Sequence, residues 1–234
     1  MNQLISDIVE VAYKVYYKKT MKKAILQFIK DSHYRVFSTS KELDKWAIYL
    51  NNNFETDRTD LYQFPQKALD MYCGNMSKYI NYYLRTGELI RYIPEIELTL
   101  DALITSIDIA IKNNILQEDI LGVRWVKTKY METYIGVTNK DIKKGHIYTD
   151  RGYISTSLWS SYIGQYKNEK RILHEHVVFL IKIPKGTHGV YVEHDIRPRE
   201  EYEFILGKES QFLVEEIYFF LNRPFIITCK LVIK

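Results

Sequence analysis

Three short clusters in the C-terminal half carry residue types that can do chemistry. The first is Arg124, in Leu121-Gly-Val-Arg-Trp-Val126. An arginine inside an apolar strand is costly unless something anionic meets it. It could pair with a core carboxylate, or serve as a fork-shaped donor that binds two oxygens of a pyrophosphate at once, a geometry lysine lacks. The second is Ser155-Thr-Ser157, behind an Asp150-Arg-Gly-Tyr153 turn. Strand alternation puts Ser155 and Ser157 on one face and Thr156 on the other. The third is Glu201-Tyr-Glu203, leading into Phe204-Ile-Leu206. Two carboxylates at i and i+2 share a strand face, where repulsion raises the proton affinity of at least one. Edge-strand hydroxyls and strand-end surface charges are the plain explanations. Against the latter, Glu203 enters an apolar strand, and the Ser155 hydroxyl could satisfy it. Hydroxyls and carboxylates of this kind suit holding a sugar.

The elements that must position these residues change texture along the chain. From Leu4 to about Phe28, apolar residues recur three and four apart, the helical period. Ser38-Thr-Ser40 repeats the Ser-Thr-Ser triplet, but Thr39 stands three residues before Glu42 and ahead of Leu43, Trp46, Ala47 and Leu50. That is a capping box opening an amphipathic helix, so the bare triplet means little without its company. Further helical pattern runs through Leu61, Phe64, Ala68, Leu69 and Tyr72. The next spans Ser77 to Arg85, with Ile80, Tyr83 and Leu84 as core stripe and Asn81 and Arg85 stacked four apart on another face. A long helix is expected from Glu95 to about Ile111, stopped by Asn113-Asn114.

From Ile115 onward, short apolar runs broken by Gly, Asn, Asp and Pro read as strands: Leu121–Val126, Tyr134–Val137, Gly152–Thr156, Val177–Ile183, Gly189–Val192, Tyr202–Leu206, Phe212–Tyr218 and Phe225–Ile233. Helices first and strands afterwards mean α+β. No repeat, low-complexity tract or linker divides the chain, so one domain is expected, with a helical layer over 1–114 and a β-rich core over 115–234.

Composition narrows the function classes. A net charge of +4 is too small a bias to argue for nucleic acid. The basic residues near the start, Lys14, Lys18, Lys19, Lys22, Lys23 and Lys30, read as a solvated helix face. No apolar run approaches the roughly 18 residues of a membrane span. The first ten residues are acidic where a signal peptide is basic, so export by a conventional signal is not supported. Cys73 and Cys229 fit no metal-ligand spacing and read as buried free thiols. His174-Glu-His176 lacks a third ligand nearby, so no metal is expected.

In this order, Arg124, Ser155-Thr-Ser157 and Glu201-Tyr-Glu203, with Gly152-Tyr-Ile ahead of the serines and Lys185-Gly-Thr and Gly189-Val-Tyr ahead of the glutamates, resemble the R-S-E class of mono-ADP-ribosyltransferases. The likeness is nearest to the actin-modifying enzyme component of bacterial binary toxins. It covers the chain from about Ser77 to the C-terminus. The resemblance implies two packed β-sheets behind a helical layer, NAD as co-substrate, no metal, and transfer of ADP-ribose to a protein side chain by a soluble, monomeric protein, secreted or delivered into a host cell. It implies that Arg124 holds NAD phosphate, that Ser155 orients Glu203, and that Glu203 stabilises the positive charge on the ribose as nicotinamide leaves. Glu201 would face the acceptor, and a glutamate there goes with arginine. Asn81, Arg85, Thr156 and Ser157 would contact NAD, together with an aromatic and a basic residue between Leu158 and Val177: Tyr166 or else Tyr162, and Lys170 or Arg171. Two features depart from the pattern. Ser77 stands where relatives have a tyrosine, and Glu193–Arg199 lacks the aromatic that contacts the protein target, which counts against actin. A binding module without turnover and an NAD glycohydrolase would share most of these residues.

Overall fold

The helical periodicity of the first half and the apolar runs of the second become helices and strands in that order, the α+β arrangement expected. The structure is a computed structural model and describes residues 15–16, 19–20, 22–30, 33–51, 65–90, 94–128, 142–158, 176–192, 202–220 and 223–233. The expected strand over Tyr134–Val137 and the beginning of the first helix lie outside these residues.

Residues 22–30 form α1. They are followed by α2 (Ser40–Asn51), α3 (Pro65–Met71), α4 (Ser77–Thr86) and α5 (Pro94–Asn113). The capping box opens α2: the Glu42 N–H donates to Thr39 Oγ1 at 3.2 Å, and the Glu42 carboxylate accepts from the Ser38 N–H, one residue ahead of the partner the motif specifies. Between α3 and α4 the chain makes a π-helical turn, Tyr72–Met76, with Gly74 outside helical geometry. That turn keeps Tyr72 and Cys73 buried.

Eight strands follow: β1 (Ile120–Lys127), β2 (Ile147–Asp150), β3 (Ile154–Ser157), β4 (His176–Ile183), β5 (Gly189–Val192), β6 (Glu203–Leu206), β7 (Ser210–Phe220) and β8 (Arg223–Val232). They join in the order β2-β7-β8-β4-β1-β3-β6-β5, with β4 and β8 parallel and the other neighbours antiparallel. Three details differ from expectation. The strand β2 was not anticipated, because four residues that turn polar at Thr149-Asp150 carry no strand pattern. β3 begins at Ile154, because Gly152 and Tyr153 are used in the turn before it. β6 begins at Glu203, because Tyr202 has φ 46, in the left-handed region. Extended alternation therefore does not run back through Tyr202, and Glu201, expected to share a strand face with Glu203, lies outside the described residues.

The sheet behaves as two wings. β1 is paired with β4 along its whole length, from Ile120↔Ile183 to Lys127↔His176, yet meets β3 at the single pair Val123↔Ser157. Gly122 permits the approach: a side chain there would lie 3.0–3.2 Å from Ile183 and Thr156. Past that pair the strands part. One core fills the space between the wings, with Phe179, Ile181, Phe212 and Ile227 from one side and Ile154, Tyr191, Phe204 and Leu206 from the other. Leu43 and Trp46 of α2 add to it. On the outer face of the smaller wing, α3, α4 and α5 pack on Tyr153, Val190, Val192 and Ile205. On the outer face of the larger wing, Ala24 and Phe28 of α1 cover Leu121, Val123, Val178 and Leu180.

Candidate active site

The turn that leads into β3 is fastened by α4. Asp150, the last residue of β2, accepts from Arg85 Nε at 2.7 Å with one oxygen and from Nη2 at 2.9 Å with the other. Both side chains are almost wholly buried, at 1% and 2% exposure. Asp150 Oδ1 also accepts the Gly152 N–H at 2.9 Å, an Asx turn. One helical turn before Arg85, Asn81 Oδ1 accepts the Tyr153 N–H at 2.8 Å. Gly152 is needed here, since a Cβ would stand 2.7 Å from Asn81 Oδ1 and 2.9 Å from Arg85 Cζ. The Tyr153 ring is fully buried, and its hydroxyl donates to α5 at Asp108 Oδ1 and the Ile104 carbonyl, 2.6 and 3.0 Å away. The expected pairing of Asn81 and Arg85 on one helix face is thus present, and both grip the chain ahead of the serines.

Ser157 lies directly across from Glu203 in the β3–β6 register, and Ser155 across from Ile205. Alternation places Ser155, Ser157 and Glu203 on one face, with Ser155 diagonal to the carboxylate. Glu203 is 6% exposed and Ser157 5%, while Ser155 is partly open. Thr156 faces the other way. It is buried, and its hydroxyl donates to the Phe204 carbonyl at 3.1 Å, which separates it from the serines.

Arg124 lies just beyond the point where β1 and β3 part. Its Nη1 donates to the Ser155 carbonyl at 2.8 Å, and its remaining N–H groups take no other hydrogen bond among the described residues. It forms no ion pair among them either. Tyr148, Asp150, Ile154 and Phe179 line the small void beside it.

Tyr72, which the sequence marked only as a core residue, sits among these groups. Its hydroxyl accepts from Asn81 Nδ2 at 2.8 Å and donates to the Tyr153 carbonyl at 3.4 Å. Burial pushes its proton affinity far up; the Glu203 charge adds to the shift, while Arg124 and the Asn81 bond oppose it. Glu203 and Arg124 therefore act electrostatically on one buried hydroxyl. Asp150 and Asp108 were also missed as anchors. An aspartate two residues before a glycine is an Asx-turn signal that could have marked Asp150. Glu201, Tyr162, Tyr166, Lys170, Arg171, His174 and the loop Glu193–Arg199 lie outside the described residues. Among the described residues no group of His, Cys, Asp and Glu could hold a metal ion, and no helix is long and apolar enough to cross a membrane.

The family model for the ADP-ribosyltransferase exoenzyme matches residues 44–223. Among solved structures, the chain is similar to Plx2a, an ADP-ribosyltransferase toxin from Paenibacillus larvae, at 25% identity and TM-score 0.59, over 84% of this chain and 98% of that one. C3stau2 from S. aureus, solved with NAD, is 18% identical with TM-score 0.63, over 87% of this chain and 100% of that one. BECa, an ADP-ribosylating toxin of a binary enterotoxin of C. perfringens solved with NADH, is 17% identical with TM-score 0.63 over 83% of this chain. The chain spans about half of BECa, 49%. The last two likenesses show the fold. No curated protein matches the chain in sequence.

Proposed function

Because the chain belongs to the ADP-ribosyltransferase exoenzyme family, we propose that it breaks the nicotinamide–ribose bond of NAD and transfers ADP-ribose to an arginine of a protein acceptor. The observation that carries this reading is the Arg124 guanidinium, held by one N–H on the Ser155 carbonyl with its other donors uncommitted among the described residues. A partly buried fork of this kind suits a pyrophosphate, whose charge would meet the guanidinium where water competes poorly.

Glu203 supplies the second requirement. A carboxylate that is already desolvated and oriented stabilises positive charge growing on a ribose carbon without having to reorganise. The hydroxyls of Ser155 and Ser157 share its face and can hold it in place. Departure of nicotinamide takes the bonding electron pair to the ring nitrogen, and an acceptor nitrogen then forms the new bond to the ribose carbon. A guanidinium must give up a proton as it does so, and Glu201 is the residue placed in the chain to take it. BECa and C3stau2 were solved with NADH and NAD, which supports the dinucleotide as substrate.

The test is incubation with NAD labelled in the adenylate half, with and without agmatine as a soluble arginine side-chain mimic. The parent protein should release nicotinamide and label agmatine. Glu203→Gln should lower both by about 100-fold or more, the scale of losing a preorganised transition-state contact. Glu201→Gln should abolish labelling of agmatine and spare nicotinamide release. Parental activity in the Glu203 variant would remove that residue from the mechanism, parental labelling in the Glu201 variant would remove Glu201 from the acceptor step, and a parent protein that releases nicotinamide without labelling agmatine would remove arginine as acceptor.

A further inference from the structure

We propose that the outward face of α1 is a docking surface for a bilayer that contains anionic lipid, with its lysines at the headgroups and Val15 and Leu26 entering the layer beneath. The inference goes beyond the reaction proposed above and does not rest on it. Residues 11–30 hold six lysines and no aspartate or glutamate. That stretch therefore carries +6, while the remaining chain, with 27 basic against 29 acidic residues, carries −2. The modest net charge of the whole molecule hides a strong local field.

The structure shows how that charge is presented. Every described position from Val15 to Lys30 is helical. Ala24 and Phe28 pack on the sheet, which leaves the opposite side of the helix to Val15, Lys19, Lys22, Leu26 and Lys30, spaced three and four apart and all exposed. Lys23 flanks this row and is exposed as well. Among the described residues Lys19, Lys22, Lys23 and Lys30 take no ion pair or hydrogen bond. Val15 and Leu26 stand 64% and 55% open between them. At the beginning of the helix the Tyr16 hydroxyl donates to the Phe219 carbonyl at 3.4 Å, which adds two more exposed rings to the same end.

Two features select a bilayer over a nucleic acid or an acidic protein. The basic residues of the stretch are all lysines. Fixed, bidentate recognition of phosphate or carboxylate favours arginine, whereas point charges on flexible stems suit a diffuse layer of headgroups. Apolar side chains set among the lysines can also sink below the headgroups while the ammonium groups stay at their level. The helix keeps its inner face on the larger wing throughout, so docking requires no unfolding, and β3 and β6 with their serines and Glu203 belong to the other wing.

The experiment is co-sedimentation of the whole chain with vesicles of phosphatidylcholine alone and with about 30% phosphatidylserine, at low salt and at about 0.5 M. The parent protein should bind the mixed vesicles and not the neutral ones, and high salt should release it. Lys19→Gln, Lys22→Gln and Lys23→Gln together should weaken binding by about tenfold or more, since each lysine near an anionic surface is worth up to about fivefold. Lys41→Gln, Lys45→Gln and Lys67→Gln together, at exposed lysines of α2 and α3, lower the net charge equally and should change binding by less than about twofold. Leu26→Gln should weaken it by about threefold or more with every charge in place. All these side chains are exposed, so melting temperatures should stay parental. Equal losses in the two lysine triples, equal binding to neutral vesicles, or parental binding by either the first triple or Leu26→Gln would overturn the proposal. Absence of vesicle binding would overturn it too, and capture of a DNA duplex in its place would assign the surface to nucleic acid.

Discussion

Ser-Thr-Ser occurs twice in this chain, and the two copies show what a residue type means only in its place. At 38–40 the hydroxyls serve the start of α2, where Thr39 Oγ1 accepts the Glu42 N–H. At 155–157 the same triplet is divided by strand alternation, two hydroxyls on the face of Glu203 and one on the other. That division predicts two kinds of mutant. Ser155→Ala and Ser157→Ala each remove a hydroxyl from the carboxylate's face, and each should cost roughly tenfold in kcat with little change in melting temperature, on the scale of one hydrogen bond to a charged group. The Arg124 bond should survive Ser155→Ala, because it goes to the main-chain carbonyl. Thr156→Ala should instead cost about 1 kcal/mol of stability through its lost bond to Phe204 and leave kcat near parental once the protein is folded. Denaturant titration beside turnover separates the two, and a Thr156 variant that kept its stability and lost turnover would contradict the assignment. Alternation made this pattern legible from sequence; the left-handed φ at Tyr202 was not, because nothing in an aromatic residue announces it.

At the scale of elements, the informative contact is α4 against the turn into β3. Sequence periodicity put Asn81 and Arg85 on one helix face but could not say what that face meets, since a turn has no period to match against a helix. Close packing settles it, and the packing has no slack at Gly152. Gly152→Ala should therefore destabilise the protein by about 1–3 kcal/mol, the range for forcing a methyl group into a filled interior. The clash falls on Asn81 Oδ1 and Arg85 Cζ, both already committed to hydrogen bonds, so relief must loosen the β3 entrance. Turnover should fall along with stability, and the Tyr153 amide should exchange faster. A variant with parental unfolding free energy would mean that α4 can retreat, which the burial of Ile80 in one apolar cluster with residues of α3, α5 and β5 opposes. The short strand β2 escaped notice for a related reason: four residues ending in an aspartate needed as an anchor leave no room for a strand pattern.

Across the whole molecule, the order of helices and strands made the α+β class legible, while the division of the sheet at Val123↔Ser157 was not, because separation of strands depends on pairing that no single strand encodes. The division matters for stability as well as for the site. It creates separate buried layers, and groups that would ionise in water are enclosed in them without charge. Tyr72 and Tyr153 lie in the layer under α3 to α5, and Cys229 lies between the wings. Burial raises the proton affinity of all three well above the ordinary values of 10.0 for tyrosine and 9.0 for cysteine, with Asp108 adding to the effect at Tyr153 and Glu215 at Cys229. The sign of the consequence follows from proton counting. Above pH 9 to 10 the unfolded chain has released these protons and the folded chain has kept them. Unfolding then releases protons, and stability falls as pH rises. The contribution is fully present below about pH 9 and declines above it, by up to about 1.4 kcal/mol per pH unit for each group once its unfolded form is ionised. Urea unfolding at a series of pH values from about 8 to about 11 should show a midpoint that drops with increasing slope. Tyrosinate absorbance from the two buried phenols should rise only with the unfolding transition. A flat midpoint across that span, or ionisation of Tyr72 and Tyr153 ahead of unfolding, would mean that water reaches the layer beneath the helices and that Glu203 is not held in the dry setting its proposed role needs.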